Sequence, residues 1–146
     1  LLADIAALYE SAALAADVEL RVEGEEGLLV QADEQMTRTI LRNLAGNALK
    51  ATPAGGRVVL RAERGGGAAA GQAVLRVVDS GPGLSAEALA QLNGPAPALR
   101  VAGRESGAGL GLLLSRAFAE AQRGSLVIAA AGGGGTEAAV RLPLAA

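Results

Sequence analysis

Asp33-Glu-Gln-Met36-Thr-Arg-Thr-Ile40-Leu41-Arg-Asn43-Leu44-Ala-Gly46-Asn47-Ala48-Leu-Lys50-Ala51 is the stretch that decides how this chain folds. Asp33 is a helix-capping residue. Met36, Ile40, Leu44 and Ala48, joined by Leu41, fall on one apolar stripe of a helix running to about Ala51. Thr52-Pro53 stops it and Gly55-Gly56 turns the chain. A second set on the same helix is polar. Asn43, Asn47 and Lys50 stand at i, i+4 and i+7 and share one narrow face at the edge of the apolar stripe. A helix gains little from two asparagines, and Gly46 costs it about 1 kcal/mol against alanine. A side-chain amide oxygen is a hard neutral ligand, suited to Mg2+ that already holds phosphate oxygens and water. Lys50 is a donor point charge within reach of the same phosphates. Gly46 removes a side chain that could crowd such a ligand. Taken alone, the run also fits an ordinary solvated helix face.

Working outward, Asp4 is expected to cap a helix over about residues 5–16, with Ile5, Leu8 and Ala12 on one face. Glu19-Leu-Arg-Val-Glu23 alternates polar and apolar, and Leu28-Leu-Val-Gln-Ala32 follows a glycine turn, so the two are expected to pair as strands. Beyond the central helix, Arg57–Glu63 and Ala73–Asp79 are read as neighbouring strands joined by a glycine-rich hairpin loop. Ser85 caps a short helix with Glu87 in its first turn. Residues 93–106 carry two prolines, two glycines and no clear period, a loop long enough to be functional. A helix over about 109–122, ended by Gly124, and two strands at about 125–130 and 137–142 complete the chain. This order predicts a two-layer α/β (α+β) sandwich, with helices on one face of a mixed, mostly antiparallel sheet.

Two further runs carry chemistry. Asp79 ends an apolar strand and enters Ser80-Gly81-Pro82-Gly83. A carboxylate there can accept from the exocyclic amine of adenine, and Gly81 and Gly83 let backbone approach the base edge. A plain turn uses the same residue types. Gly107-Ala-Gly109-Leu110-Gly111-Leu112 opens a helix, whose start offers unpaired amides and a positive dipole end to an anion. The bland alternative is a flexible loop entering a helix. No strand precedes this run, which rules out a Rossmann reading, and a Walker loop would need Gly-Lys-Ser/Thr.

Composition narrows the field. At 146 residues and 51% hydrophobic, the chain suits one domain with a real core. A net charge of −2 gives no basic footprint for nucleic acid. No apolar run approaches the ~20 residues of a membrane span, so no membrane contact is expected of this domain. Absence of cysteine suits a cytosolic chain. Absence of histidine removes any imidazole base, histidine metal ligand or phosphohistidine from the chain itself. With one Tyr and one Phe, base stacking on aromatic rings is scarce.

Three such runs, in this order and spacing, resemble the ATP-binding catalytic domain of sensor histidine kinases, of the superfamily shared with type II topoisomerases, a heat-shock chaperone and mismatch-repair ATPases. Leu41–Gly56 is similar to the family's N box, Val78–Leu84 to its G1 box and Ser106–Leu112 to its G2 box, while Gly135-Thr136 with Val140–Leu144 resembles its closing strand. The resemblance implies the Bergerat-type sandwich over residues 1–146 as a single domain, with a nucleotide lid at about 93–108. It implies Asn47 as the Mg2+ ligand, with Asn43 and Lys50 as catalytic groups at the phosphates. Asp79 would bind the adenine amine, supported by Thr136, with Gly81 and Gly83 beside it. Gly107, Gly109, Leu110 and Gly111 would line the phosphates. Hydrolytic relatives carry a glutamate base one turn before the metal asparagine; Asn43 stands there and cannot take a proton from water.

The implied function is to hold Mg-ATP and donate its γ-phosphoryl to a histidine on a separate dimerisation domain of the same full-length protein, with a response regulator downstream. The expected location is the cytoplasm, as a free domain or as the cytosolic part of a membrane-anchored sensor. Leu1 opens directly into a helix-like run, as a domain cut from a longer chain would. Three departures from the family pattern stand out: Leu92–Arg100 lacks the usual F-box aromatics, and Ala51 and Ala108 replace a common aromatic and a common hydroxyl residue. Arg100 or Arg104 in the lid could reach the γ-phosphate, but both are read as solvated. Two alternatives follow: a nucleotide-binding regulatory module impaired in catalysis, and a serine-directed kinase like the anti-sigma factors of the superfamily.

Overall fold

The computed structural model describes residues 1–24, 27–94 and 107–145, with backbone alone for 107–110. In chain order the elements are α1 (Leu2–Ala15), β1 (Glu19–Gly24), α2 (Glu34–Ala51), β2 (Arg57–Arg64), β3 (Gln72–Asp79), α3 (Ala86–Asn93), α4 (Gly107–Ala121), β4 (Ser125–Ala130) and β5 (Thr136–Pro143). The strands form one sheet in the order β1-β2-β3-β5-β4. β1 runs parallel to β2, and the remaining pairs are antiparallel. The mixed, mostly antiparallel sheet expected from the sequence is therefore present.

One expected pair is not. Leu28–Ala32 forms no strand beside β1; Val30 makes a single bridge to Leu144 past the end of β5. The reason lies in α2. Parallel strands need a crossover, usually a helix, and α2 supplies it between β1 and β2. β1 thus spends its pairing on Arg57–Ala62, and residues 28–32 serve as the approach to α2.

α2 starts where its sequence demands. The Asp33 carboxylate accepts from the Met36 amide at 2.8 Å. Ile40, Leu41, Leu44 and Ala48 are buried, as the stripe predicts, and Thr37 and Ala45 join them, while Met36 is only half-buried. α1 departs from expectation. It begins at Leu2 with no side-chain cap, and Asp4 lies inside its first turn, 3.1 Å from Arg38 of α2. A carboxylate in the first turn still favours the positive end of the helix dipole. α1 closes with Asp17 in the left-handed region (φ 56) and α4 with Arg123 (φ 63), so neither helix uses a glycine at that place. α3 is capped as expected, Ser85 Oγ accepting from Ala88 at 3.1 Å. Between β2 and β3 the glycine-rich loop holds one 3-10 turn at Gly67–Ala69.

One apolar cluster joins α1 (Ile5), α2 (Ile40, Leu41, Leu44), α4 (Ala119) and alternate residues of the strands. Strand register explains the choice. Leu60 is opposite Val77, Val77 opposite Ala138 and Ala138 opposite Ile128, so one row crosses the sheet on the helix-facing side. The other face carries charge: Arg76 sits 2.6 Å from Glu63 and 2.7 Å from Glu137. Its pKa is raised above the ordinary arginine value, first by the hydrogen bond to Glu63.

Candidate functional site

The period-2 rule that buries Leu75 and Val77 also places Asp79 on the helix-facing side, at the last position of β3. It is only 8% exposed, opposite both Val58 and Thr136. A carboxylate so placed must be held by donors. Asp79 Oδ1 accepts from Gly81 N at 2.9 Å and from Thr136 N at 3.3 Å. Its second oxygen has no hydrogen-bond donor among the described residues. One oxygen is thus fixed by backbone, and the other is left for an outside donor.

The turn after Asp79 needs its glycines. A Cβ at Gly81 would lie 2.6 Å from the Ala51 carbonyl at the end of α2. Gly83 has φ +77, and a Cβ there would lie 2.6 Å from the Gly134 carbonyl. Gly135, a residue the sequence reading left outside its candidate site, is more restrictive still, because its Cβ would run into the Asp79 carbonyl. Its sequence signals were its place at the end of the Gly132–Gly135 run and beside Thr136 in the segment that resembles the family's closing strand.

α2 joins the two remaining parts. At its C-terminal end Ala51 backs Gly81, as above. Two turns earlier, Asn43 Nδ2 donates to the Gly111 carbonyl at 3.4 Å and to Ser115 Oγ at 3.2 Å, which ties α2 to α4. The Asn43 nitrogen is therefore engaged, and its oxygen is the atom left for a ligand. Ser115 is fully buried; a lone hydroxyl ending a Leu-Leu-Leu run was the signal that could have revealed it. Asn47, one turn on, is half-buried, and its amide nitrogen is buried with no partner. Lys50 is exposed in the last turn, without an ion-pair partner among the described residues. Gly46 has a different reason from the one expected. Its missing Cβ makes room for Tyr9 of α1, whose hydroxyl would lie 3.1 Å away and donates to the Arg42 carbonyl at 3.0 Å.

Gly107, Gly109, Leu110 and Gly111 all lie in the opening turns of α4, whose first amides lack intrahelical acceptors. The expected lid at 93–108, with Arg100 and Arg104, falls largely outside the described residues. Among those residues no group of three His, Cys, Asp or Glu side chains could hold a metal ion. Asn47 leaves a buried amide nitrogen, a hydrogen-bond donor that suits an acceptor from outside the chain such as a phosphate oxygen, and its amide oxygen is the one atom of that side chain able to ligate a cation arriving with its own phosphate ligands. No helix among them is long and apolar enough to cross a membrane.

An α/β sandwich with a half-free carboxylate at a strand end, an unpartnered amide on a helix and a bare helix start defines a nucleotide-binding protein. Residues 32–146 match the family described as histidine kinase-, DNA gyrase B- and HSP90-like ATPase, and the chain belongs to it, as an ATP-binding catalytic domain of the sensor histidine kinase kind. It is 42% identical over 120 residues to the histidine protein kinase DivJ of Caulobacter vibrioides, covering 80% of this chain and 19% of that one. It is 32% identical over 130 residues to sporulation kinase D of Bacillus subtilis, covering 89% and 24%. The chain thus spans about a fifth to a quarter of the length of these curated relatives. Among solved structures, the catalytic domain of histidine kinase ThkA superposes with a TM-score of 0.80 at 23% identity, covering 96% of this chain and 88% of that one. Full-length ShkA in complex with AMPPNP gives 0.80 at 31% identity, covering 99% and 29%.

Proposed function

We propose that residues 1–146 act as one domain that holds Mg-ATP and donates its γ-phosphoryl to a histidine on a separate dimerisation domain of the same full-length protein, in the cytoplasm, with a response regulator downstream. The observation that carries this is the unpartnered amide nitrogen of Asn47, a donor awaiting an acceptor such as a phosphate oxygen, on the same helix whose last carbonyl backs the Asp79 turn. A buried polar atom without a partner costs roughly 1–3 kcal/mol, and a ligand is the simplest group to satisfy it. A relative named as a histidine protein kinase, and the similar structure of ShkA in complex with AMPPNP, support the same reading.

In this mechanism the free oxygen of Asp79 accepts from the adenine exocyclic amine, with Thr136 beside it, and the close backbone packing that Gly81, Gly83 and Gly135 allow holds that carboxylate in place. Asn47 would hold the metal through its amide oxygen while its nitrogen donates to a phosphate oxygen, and the metal would offset the charge of the phosphates. Asn43 through its oxygen, Lys50, and the free amides of Gly107 and Gly109 hold the phosphates in line, with Leu110 and Gly111 lining them in the same opening turns. A histidine nitrogen bonds to the γ-phosphorus as the bond to the β,γ-bridging oxygen breaks, and ADP leaves. Asn43 accepts no proton from water, which favours transfer to a side chain over hydrolysis.

The test is ATP affinity with and without Mg2+, followed by transfer from labelled ATP to an added acceptor domain. Mg-dependent binding with an acid-labile label on the acceptor supports the proposal. Binding without transfer points to a regulatory nucleotide module, and an acid-stable label points to a serine kinase.

A further inference from the structure

β4 is an outer strand, and a strand's free edge presents unpaired amides and carbonyls. At Ile128 both groups are taken by one side chain from α3. Asn93 Nδ2 donates to the Ile128 carbonyl at 2.7 Å, while Asn93 Oδ1 accepts from the Ile128 amide at 2.8 Å. The same nitrogen donates back to Leu89 of its own helix at 3.0 Å. Only a side-chain amide offers a donor and an acceptor at peptide spacing; aspartate lacks the donor. α3 is thereby stitched to the sheet at one register. Beyond that stitch, α3 is held by Ala88, its one buried residue, and by half-buried Leu89 and Leu92 packed against the core.

The carbonyls that a helix end leaves free are captured next. Arg116 of α4 donates through Nη1 to Leu92 at 3.4 Å and to Gly94, and through Nη2 to Asn93 at 3.2 Å. Its Nε faces Glu120 at 3.6 Å. A cation at the negative end of a helix dipole is favoured, and a planar fork can reach several carbonyls together where an ammonium cannot. The neighbouring Ser115 holds Asn43 of α2 on the other side. α4 is thus gripped between α2 and α3 at residues 115 and 116. Its first residue, Gly107, lies nine positions upstream, about 13 Å along the axis.

From this geometry we infer that Arg116 and Asn93 are positioning residues that aim the opening amides of α4 at the nucleotide's phosphates. The inference rests on the nucleotide function proposed above and deepens it. Arg116 touches no ligand; it sets where α4 points. The consequence is selective. Loosening the grip weakens contacts at the phosphates and leaves the adenine end intact, because Asp79, Gly81 and Thr136 are held by β3, β5 and α2.

Titrations of wild type, Arg116→Gln and Arg116→Lys with Mg-ATP and with adenosine, followed through the amide resonances of Gly81 and Gly83, separate the cases. Arg116→Gln should weaken Mg-ATP about tenfold, the loss of one charged hydrogen-bond set, with adenosine within about twofold of wild type. Arg116→Lys, which keeps the charge but not the fork, should fall between, and Asn93→Asp should resemble Arg116→Gln. Equal weakening of both ligands in the two Arg116 variants marks a merely structural role and overturns the inference, as does wild-type Mg-ATP affinity in both. Failure of wild type to bind Mg-ATP at all overturns instead the function on which the inference stands.

Discussion

At the scale of single residues, the side chains that a stable fold would not choose are the ones proposed to meet the nucleotide, and that gives opposite signs for stability and binding. Asn47 has a buried amide nitrogen with no partner. Asn47→Ala removes that burden, so its melting temperature is expected to equal or exceed that of wild type while Mg2+ dependence of ATP binding disappears. Calorimetric melting and titration on one preparation check both halves; a variant that melts lower yet binds normally contradicts the assignment. Asp79→Asn acts differently. The amide oxygen can still accept from Gly81 and Thr136, but the free position then carries a donor facing the donor of adenine. ATP affinity should fall by about tenfold or more, and preference for ATP over GTP should vanish, as competition binding would show.

Elements are where sequence and structure can be weighed against each other. α2 was legible because three local signals agree: Asp33 as cap, a stripe at helical period and Thr52-Pro53 as stop. Asp33→Ala should therefore cost about 1 kcal/mol of stability, read by denaturant unfolding, with ATP affinity unchanged in the folded molecule. β2, β3 and β5 were legible because each is a short run rich in Val, Leu or Ala with a glycine turn beside it. Leu28–Ala32 misled because a short apolar run says nothing about its partner, and β1 found a parallel one across α2. In the site, Asp79 and Asn47 could be read from their oddity within regular elements. The Asn43–Ser115 tie and the Arg116 grip could not, since contacts across 72 and up to 24 positions of chain follow no local period. Gly46 was legible as unusual but not in its cause, which is Tyr9 on another helix.

For the whole molecule, nucleotide and fold stand in mutual support. α2 and α4 are anchored in one apolar cluster, while the Asp79 turn and the opening turns of α4 lie beyond its buried members, so a ligand spanning them braces parts that the core alone does not. At Mg-ATP a hundredfold above its Kd the folded state gains about 2.7 kcal/mol, which for a chain of this size raises the melting temperature on the order of 10 °C. Chelating the metal should remove most of that rise, and Asn47→Ala should show little of it in either condition. Phosphoryl transfer belongs to a still larger assembly. With no histidine among its 146 residues, the chain incubated alone with labelled ATP should acquire no acid-labile phosphate. Adding a separate acceptor domain should restore labelling, on that domain only, because the groups proposed here, Asn47, Lys50 and the α4 amides, would hold a donor and nothing in this chain supplies the imidazole. Label that appears on this chain without an acceptor and survives acid would place the phosphate on a hydroxyl and would remove the histidine-directed mechanism.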